Sequence, residues 1–253
     1  MKQQISKYFF ALVISLSLFA CKPAKQDESS GTSDTAVAEV PQPPSMDAAI
    51  VAPDLYKVAK DTMGIRVLEI TYKPGDSSAM HSHPDNVLYV IDGGKAQMTA
   101  KDGSMKMNEL KSGMIAINGA GTHSVKNTGT TTMRAILVEV NRPNTAAPAK
   151  DASLDATKVA PVLYKTVADS LNIRVVMATY KPGASSKLHA HPDNAIYAIE
   201  GGKAVMTLKD GTKLDNTLAT GTILITPAGA HAVKNIDKTA LKVLIVEVNR
   251  PVQ

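Results

Sequence analysis

The chain carries one unit of roughly ninety residues twice, at an offset that stays at 108 without a gap. "VAPDLYK" at 51–57 returns as "VAPVLYK" at 159–165, "TYKPG" at 71–75 returns at 179–183, and "VEVNRP" at 138–143 returns at 246–251. About half of the paired positions are identical. Both copies must therefore adopt one fold, and each must bury a core near the lower end of domain size. This divides the chain into a first domain at 51–143, a polar linker at 144–158 and a second domain at 159–253.

Within each copy the apolar residues follow a period of two. "IRVLEITY", "NVLYVI" and "RAILVEV" are β-branched and apolar runs of strand length, punctuated by "KPGD", "DGG", "KDG" and "NTG". "KDG" at 101–103 and 209–211 predicts a hairpin turn, because glycine takes positive φ without a steric cost. No stretch after residue 50 carries the apolar stripe of a three-turn helix. The pattern predicts an all-β fold with seven or more short strands per copy, closed as a barrel or sandwich.

The N-terminus sets the compartment. "MKQQISKYFFALVISLSLFAC" has a basic start at Lys2 and Lys7, an apolar run from Phe9 to Ala20, and then the only cysteine, Cys21. This is the layout of a secretory signal, with a run too short to span a bilayer comfortably. "LFAC" resembles the bacterial lipobox, which implies a signal peptide at 1–20 and a lipid on Cys21. Residues 21–50 are rich in Pro, Ser, Ala and charge, a composition that predicts a flexible tether. Lys22 after the cysteine resembles the outer-membrane class of Gram-negative lipoproteins. The expected location is therefore the cell envelope, at the outer membrane and facing the periplasm, with the lipid as membrane partner. The formal charge is +5, and loss of Lys2 and Lys7 with the signal leaves +3. The lysines are scattered, so no basic face for nucleic acid is expected.

The chain has six histidines, and all of them fall in the repeat: His81, His83 and His123, then His189, His191 and His231. "HSHPDN" at 81–86 and "HAHPDN" at 189–194 hold two of each set. Residues i and i+2 of a strand share a face, so each pair aims two imidazoles at one spot. A third ligand must come from a distant strand, and His123 and His231 are the remaining histidines. Three imidazoles would leave a metal open positions for water or a ligand. Packed, hydrogen-bonded histidines that bind no metal are the other reading.

Here the sequence resembles the cupins. "GDSSAMHSH" (75–83) and "GASSKLHAH" (183–191) match the start of the first cupin motif, and "GTILITPAGAHAVKN" (221–235) is similar to the second. The first copy, "GMIAINGAGTHSVKN" (113–127), has Gly119 in place of the motif's proline. The resemblance covers nearly all of both repeats. It implies two tandem jelly-roll barrels, a bicupin, with a divalent metal at His81, His83 and His123 and another at His189, His191 and His231.

The chain departs from the family at one point. Many metal-binding cupins place a glutamate four or five residues after the second histidine, whereas this chain has Val87 and Leu88, and then Ala195 and Ile196. A shell of neutral imidazoles disfavours Mg²⁺ and Ca²⁺ and makes Mn²⁺ less favoured; Zn, Fe, Ni and Cu all suit it. The apolar pairs are expected to wall the site, where a small anionic molecule could take the place of the carboxylate. Asp85 and Asn86, with Asp193 and Asn194, are candidates for ligand contact or for support behind the histidines, although "PDN" also reads as a turn. Tyr89 and Tyr197 are candidates for the wall. Glu139 and Glu247 are expected at a strand end, paired with Arg142 and Arg250. Three functions stay open: a metal-dependent binding protein for a small molecule, a metal-dependent enzyme (a three-histidine dioxygenase, isomerase or hydrolase), and a structural or interaction module.

Overall fold

The computed structural model describes residues 46–147 and 152–252. The signal segment, Cys21 and the tether up to residue 45 lie outside the described residues. In the first domain nine strands follow a short helix, α1 (Ala48–Val51). They are β1 (Tyr56–Thr62), β2 (Ile65–Tyr72), β3 (His81–His83), β4 (Asn86–Asp92), β5 (Gly94–Ala100), β6 (Met105–Leu110), β7 (Ile115–Asn118), β8 (Gly121–Asn127) and β9 (Met133–Val140). A 3-10 turn (Ala152–Leu154) and α2 (Ala156–Val159) lead into the second domain. Its strands are β10 (Tyr164–Ser170), β11 (Ile173–Tyr180), β12 (His189–His191), β13 (Asn194–Glu200), β14 (Gly202–Leu208), β15 (Lys213–Leu218), β16 (Ile223–Thr226), β17 (Gly229–Asn235) and β18 (Leu241–Val248).

Each domain folds as two facing antiparallel sheets, the jelly roll expected from the sequence. In the first domain the strand orders are β1-β2-β9-β4-β7 and β3-β8-β5-β6, and the second repeats them as β10-β11-β18-β13-β16 and β12-β17-β14-β15. The "KDG" turns form as their sequence requires, with Gly103 at φ 84 and Gly211 at φ 89. Gly93 and Gly201 are needed for a different reason: a Cβ there would lie 2.2 and 2.3 Å from the carbonyl oxygens of Leu110 and Leu218.

Composition assigns residues 47–50 to the tether and 152–158 to the linker, but the structure orders both. Asp47 caps α1, its side chain accepting from the Ala49 amide at 2.8 Å, and pairs with Arg66 at 2.7 Å. Asp155 caps α2 and pairs with Arg174 at 2.7 Å in the same way. The cap satisfies an orphan helix amide, and the ion pair ties the segment to the barrel. The repeat itself runs this far upstream, since "DAAIVAP" (47–53) answers "DATKVAP" (155–161).

The broadest buried cluster lies between the barrels. Ile65, Val67, Val87, Ile136, Val138 and Val140 pack against Ile173, Val175, Ala195, Leu244, Val246 and Val248. The five-stranded sheets are thus buried on both faces. This explains why "RAILVEV" and "LKVLIVEV" read as nearly continuous apolar runs rather than clean alternations. Tyr89 and Tyr197 belong to this interface, their rings 5.5 Å apart. They do not line a metal site, and neither do Val87 and Ala195. Pro84 and Asp85 stand between β3 and β4, so the inward positions change from odd (His81, His83) to even (Asn86, Leu88).

Candidate metal centre

Strands β3 and β8 pair so that His81 lies directly opposite His123, with His83 two residues along on the same face. In the second domain β12 and β17 place His189 opposite His231. Both sequence-derived trios are thereby brought together. One ligand atom from each of His81, His83 and His123 lies within 4.8 Å of the others, and the same holds for His189, His191 and His231.

Hydrogen bonds behind the rings fix which nitrogen faces the centre. His81 Nδ1 lies 2.8 Å from the Ala79 carbonyl oxygen, and His189 Nδ1 lies 2.8 Å from that of Lys187. A carbonyl can only accept, so Nδ1 carries the proton and Nε2 presents its lone pair. His83 Nδ1 is 2.6 Å from Glu139 Oε1, and His191 Nδ1 is 2.7 Å from Glu247 Oε1. A carboxylate behind an imidazole orients the ring and raises its basicity as a ligand. His81 Nε2 and His191 Nε2 are buried without a hydrogen-bond partner. A buried lone pair left unmet is costly, and a metal ion shared with the two other imidazoles of its trio is a partner that fits each of them. The donor set therefore suits a divalent metal.

Burial and the neighbouring imidazoles lower these groups. His123 falls to about 4 and His231 to about 3, both through burial first and then the two other rings of the trio. His81 is lowered mainly by burial, and His189 falls to about 4 for the same reason. At neutral pH all four are uncharged and able to ligate. The sign of the pH effect follows. Between pH 6.5 and about 4 the unfolded chain binds protons that the folded one refuses, so stability falls as pH falls through this window. We expect the metal-free protein to lose thermal stability over that interval, and a His123→Asn/His231→Asn variant to show a flatter slope. Equal slopes would mean that other groups titrate.

Glu139 and Glu247 stand one residue from the ends of β9 and β18, as expected, and are fully buried. Glu139 accepts from Arg66 Nε at 2.6 Å, and Glu247 from Arg174 Nε at 2.6 Å. The register of β2 on β9 sets Arg66 opposite Glu139, which displaces the expected pairing with Arg142. Arg142 instead reaches Asp193 at 2.9 Å, and Arg250 reaches Asp85 at 2.6 Å, each across to the other barrel. Asp85 and Asp193 also accept from the Ala120 and Ala228 amides, at 2.8 and 2.7 Å. They bind the turns that lead into β8 and β17, the strands of His123 and His231. Asn86 and Asn194 fold back on Pro84 O and Pro192 O, at 2.8 Å each, and accept from Asn118 and Thr226.

The first barrel contains a cavity of about 640 Å³. His83, His123 and Asn86 line it, with Leu88, Tyr56 and Tyr72. Of the residues that line it Asp92 is the one carboxylate, and it is ion-paired with Arg134. Leu88 thus provides the apolar wall expected of it. The tyrosines were not singled out by the sequence. Tyr56 stacks 4.9 Å from His81 and 5.5 Å from His83, and Tyr164 takes the same place in the second barrel. Burial pushes both hydroxyls well above the ordinary tyrosine value. Their signal was the pairing Tyr56/Tyr164 at 108 residues, in a strand outside both histidine motifs.

Residues 176–247 match the cupin domain family. Among solved structures, oxalate decarboxylase from Bacillus subtilis at pH 4.6 superposes with a TM-score of 0.53 at 17% identity, over 74% of this chain and 68% of that one. A second structure of the same enzyme, from work on its Mn(II) centers, gives 0.53 and 17% over 74% and 70%. AerE from Microcystis aeruginosa gives 0.53 and 17% over 77% of this chain and 97% of its own. These likenesses establish the fold. No curated protein sequence matches the chain.

Proposed function

Because this chain is a bicupin, a tandem pair of cupin barrels, we propose that it is an envelope-anchored protein that holds a divalent transition metal in each three-histidine group and binds a small anionic molecule there. One observation carries the reading: His81 is fully buried, its Nδ1 is committed to Ala79, and its Nε2 has no partner but faces two more imidazoles. His81, His83 and His123 would hold one ion, and His189, His191 and His231 the other. Bound there, the ion would act as a Lewis acid towards an anionic group. The cavity of the first barrel gives such a molecule an apolar enclosure with few polar contacts, as is usual for small-molecule sites. Zn, Fe, Ni and Cu suit three imidazoles. Mn joins them because the Bacillus subtilis oxalate decarboxylase that shares the fold is a protein with Mn(II) centers. The anchor rests on the sequence alone, through the lipobox-like "LFAC" and Cys21.

Turnover is the second reading, as a dioxygenase, isomerase or hydrolase. Open metal positions and a fold shared with a decarboxylase favour it. Binding ranks first because the one carboxylate among the residues that line the first barrel's cavity is ion-paired with Arg134.

The test is elemental analysis of untagged protein, followed by titration of the loaded protein with benzoate and phenylacetate as anionic probes and benzyl alcohol as a neutral one. We expect near-stoichiometric metal and a preference for the anions. In Leu88→Glu, which puts a carboxylate on the cavity wall, metal should bind more tightly and the anions more weakly. Equal affinity for the neutral probe, or a Glu variant that ligates the metal yet binds anions as before, would remove the anion from the metal.

A further inference from the structure

We propose that the first barrel takes an elongated dicarboxylate, held at the metal by one end and at Asn108 and Lys106 by the other, with an apolar body between. The proposal rests on the reading of an anion at the metal and names the class of molecule.

The strand register places the second end. His123 pairs with Ala100, and Asn108 pairs with Ala96, so Asn108 stands four residues along β5 and two strands across from the histidine. At about 3.3 Å per residue and about 4.8 Å per strand, roughly 16 Å separates the two backbones. One cavity reaches both residues. Lys106 pairs with Met98, midway along the same stretch of β5. It shares strand parity with Asn108 and Leu110, and all three line the cavity.

Two observations call for a carboxylate at this end. Asn108 Nδ2 is buried without a hydrogen-bond partner. A terminal amide turns about a broad χ2, and a half-turn brings that donor to the cavity that Asn108 lines. Lys106 is exposed at the cavity's edge, and Asp92, the one carboxylate among the lining residues, is held by Arg134. The lining therefore offers an unmet donor and a cation with no acid of the cavity to pair with. A carboxylate answers both through charge-assisted hydrogen bonds. A hydrocarbon end answers neither and leaves the amide unmet.

The second copy differs at these positions. Leu214 stands 108 residues after Lys106, and Asn216 donates to Leu214 O at 3.3 Å. The space between the two ends also differs. Ala100 and Ala116 line the first cavity where the second copy carries Leu208 and Leu224. Leu88, Val90 and Met98 complete an apolar wall there, which suits a chain of methylenes.

The experiment uses the full chain carrying His189→Ala/His191→Ala, so that only the first centre loads. The protein is saturated with Zn(II) and titrated by calorimetry with two matched pairs, octanedioate with octanoate and butanedioate with butanoate. We expect octanedioate to bind about 10–100-fold more tightly than octanoate, the factor that a hydrogen bond to a charged group supplies. Butanedioate, too short to reach Asn108 from the metal, should gain nothing over butanoate. Asn108→Ala and Lys106→Leu should each bring octanedioate towards octanoate and leave octanoate where it was. Lys106→Leu installs the second copy's residue at an exposed position, and the comparison of ligands on the Asn108 protein stands even if Asn108→Ala folds poorly. Equal affinity for octanedioate and octanoate, an advantage already present in butanedioate, or an advantage that survives both substitutions overturns the proposal and leaves the anion at the metal. If none of the four carboxylates binds the loaded protein, the reading of an anion at the metal falls, and this proposal with it.

Discussion

Replacing His83 and His191 together with alanine is expected to leave the protein without bound metal. Each substitution removes one of three imidazoles from a centre whose ligand atoms lie within 4.8 Å of one another. It also removes the ring that Glu139 or Glu247 orients, at 2.6 and 2.7 Å. The wild-type protein should unfold at higher temperature as metal is added, because an ion that binds only the folded state stabilises it by about 4 kcal/mol at a thousandfold excess over Kd. The double variant should not respond. It should also be less stable without metal, by about 1–3 kcal/mol per site, since a fully buried carboxylate oxygen loses its donor. Elemental analysis and unfolding with and without the ion check both statements. Unchanged stoichiometry in the double variant would sink the metal reading.

The histidine trios were legible because strand parity is local. His-x-His puts two rings on one face wherever the strand goes, and His123 was the only other histidine in its copy. What followed the motif was not legible. Pro84 and Asp85 shift the inward parity by one, and that single step sends Tyr89 and Val87 to the interface while Leu88 faces the cavity. Nor could the sequence show the partner of Glu139. The nearest arginine along the chain is Arg142, but β2 and β9 are paired in a register that sets Arg66 opposite the glutamate. The interface itself had a trace in the unbroken apolar run "RAILVEV", which a sheet with one wet face would not carry. Composition misled at residues 47–50 and 152–158, because one capping aspartate and its arginine outweigh a polar setting.

Replacing Arg142 with alanine is expected to weaken metal binding in the second barrel, and replacing Arg250 to weaken it in the first. The crossing follows from the contacts. Arg250 donates to Leu171 O in its own barrel at 2.6 and 3.0 Å and to Arg142 O at 3.1 Å, and it pairs with Asp85 at 2.6 Å. Asp85 follows His83 by two residues and accepts from the Ala120 amide at 2.8 Å, three residues before His123. One aspartate thus ties the end of the His-x-His strand to the turn that leads into the third histidine's strand, and the guanidinium of the other barrel holds it. Arg142 does the same for Asp193, whose other contact is the Ala228 amide, and donates to Arg250 O at 3.0 Å. Both arginine side chains are almost fully buried, at 2% and 1% exposure. Breaking a buried pair by removing one partner costs about 3–5 kcal/mol, so each single variant should unfold at visibly lower denaturant. Loss of a group that positions metal-binding residues lowers affinity by about 10–100-fold. The two effects separate when affinities are measured with one centre disabled. With His191→Ala present, Arg250→Ala should lower the affinity of the first centre more than Arg142→Ala does. With His83→Ala present, the order should reverse. If each arginine instead affects its own barrel, or both barrels equally, the aspartates do not transmit the contact, and the arginines serve only to hold the two barrels together.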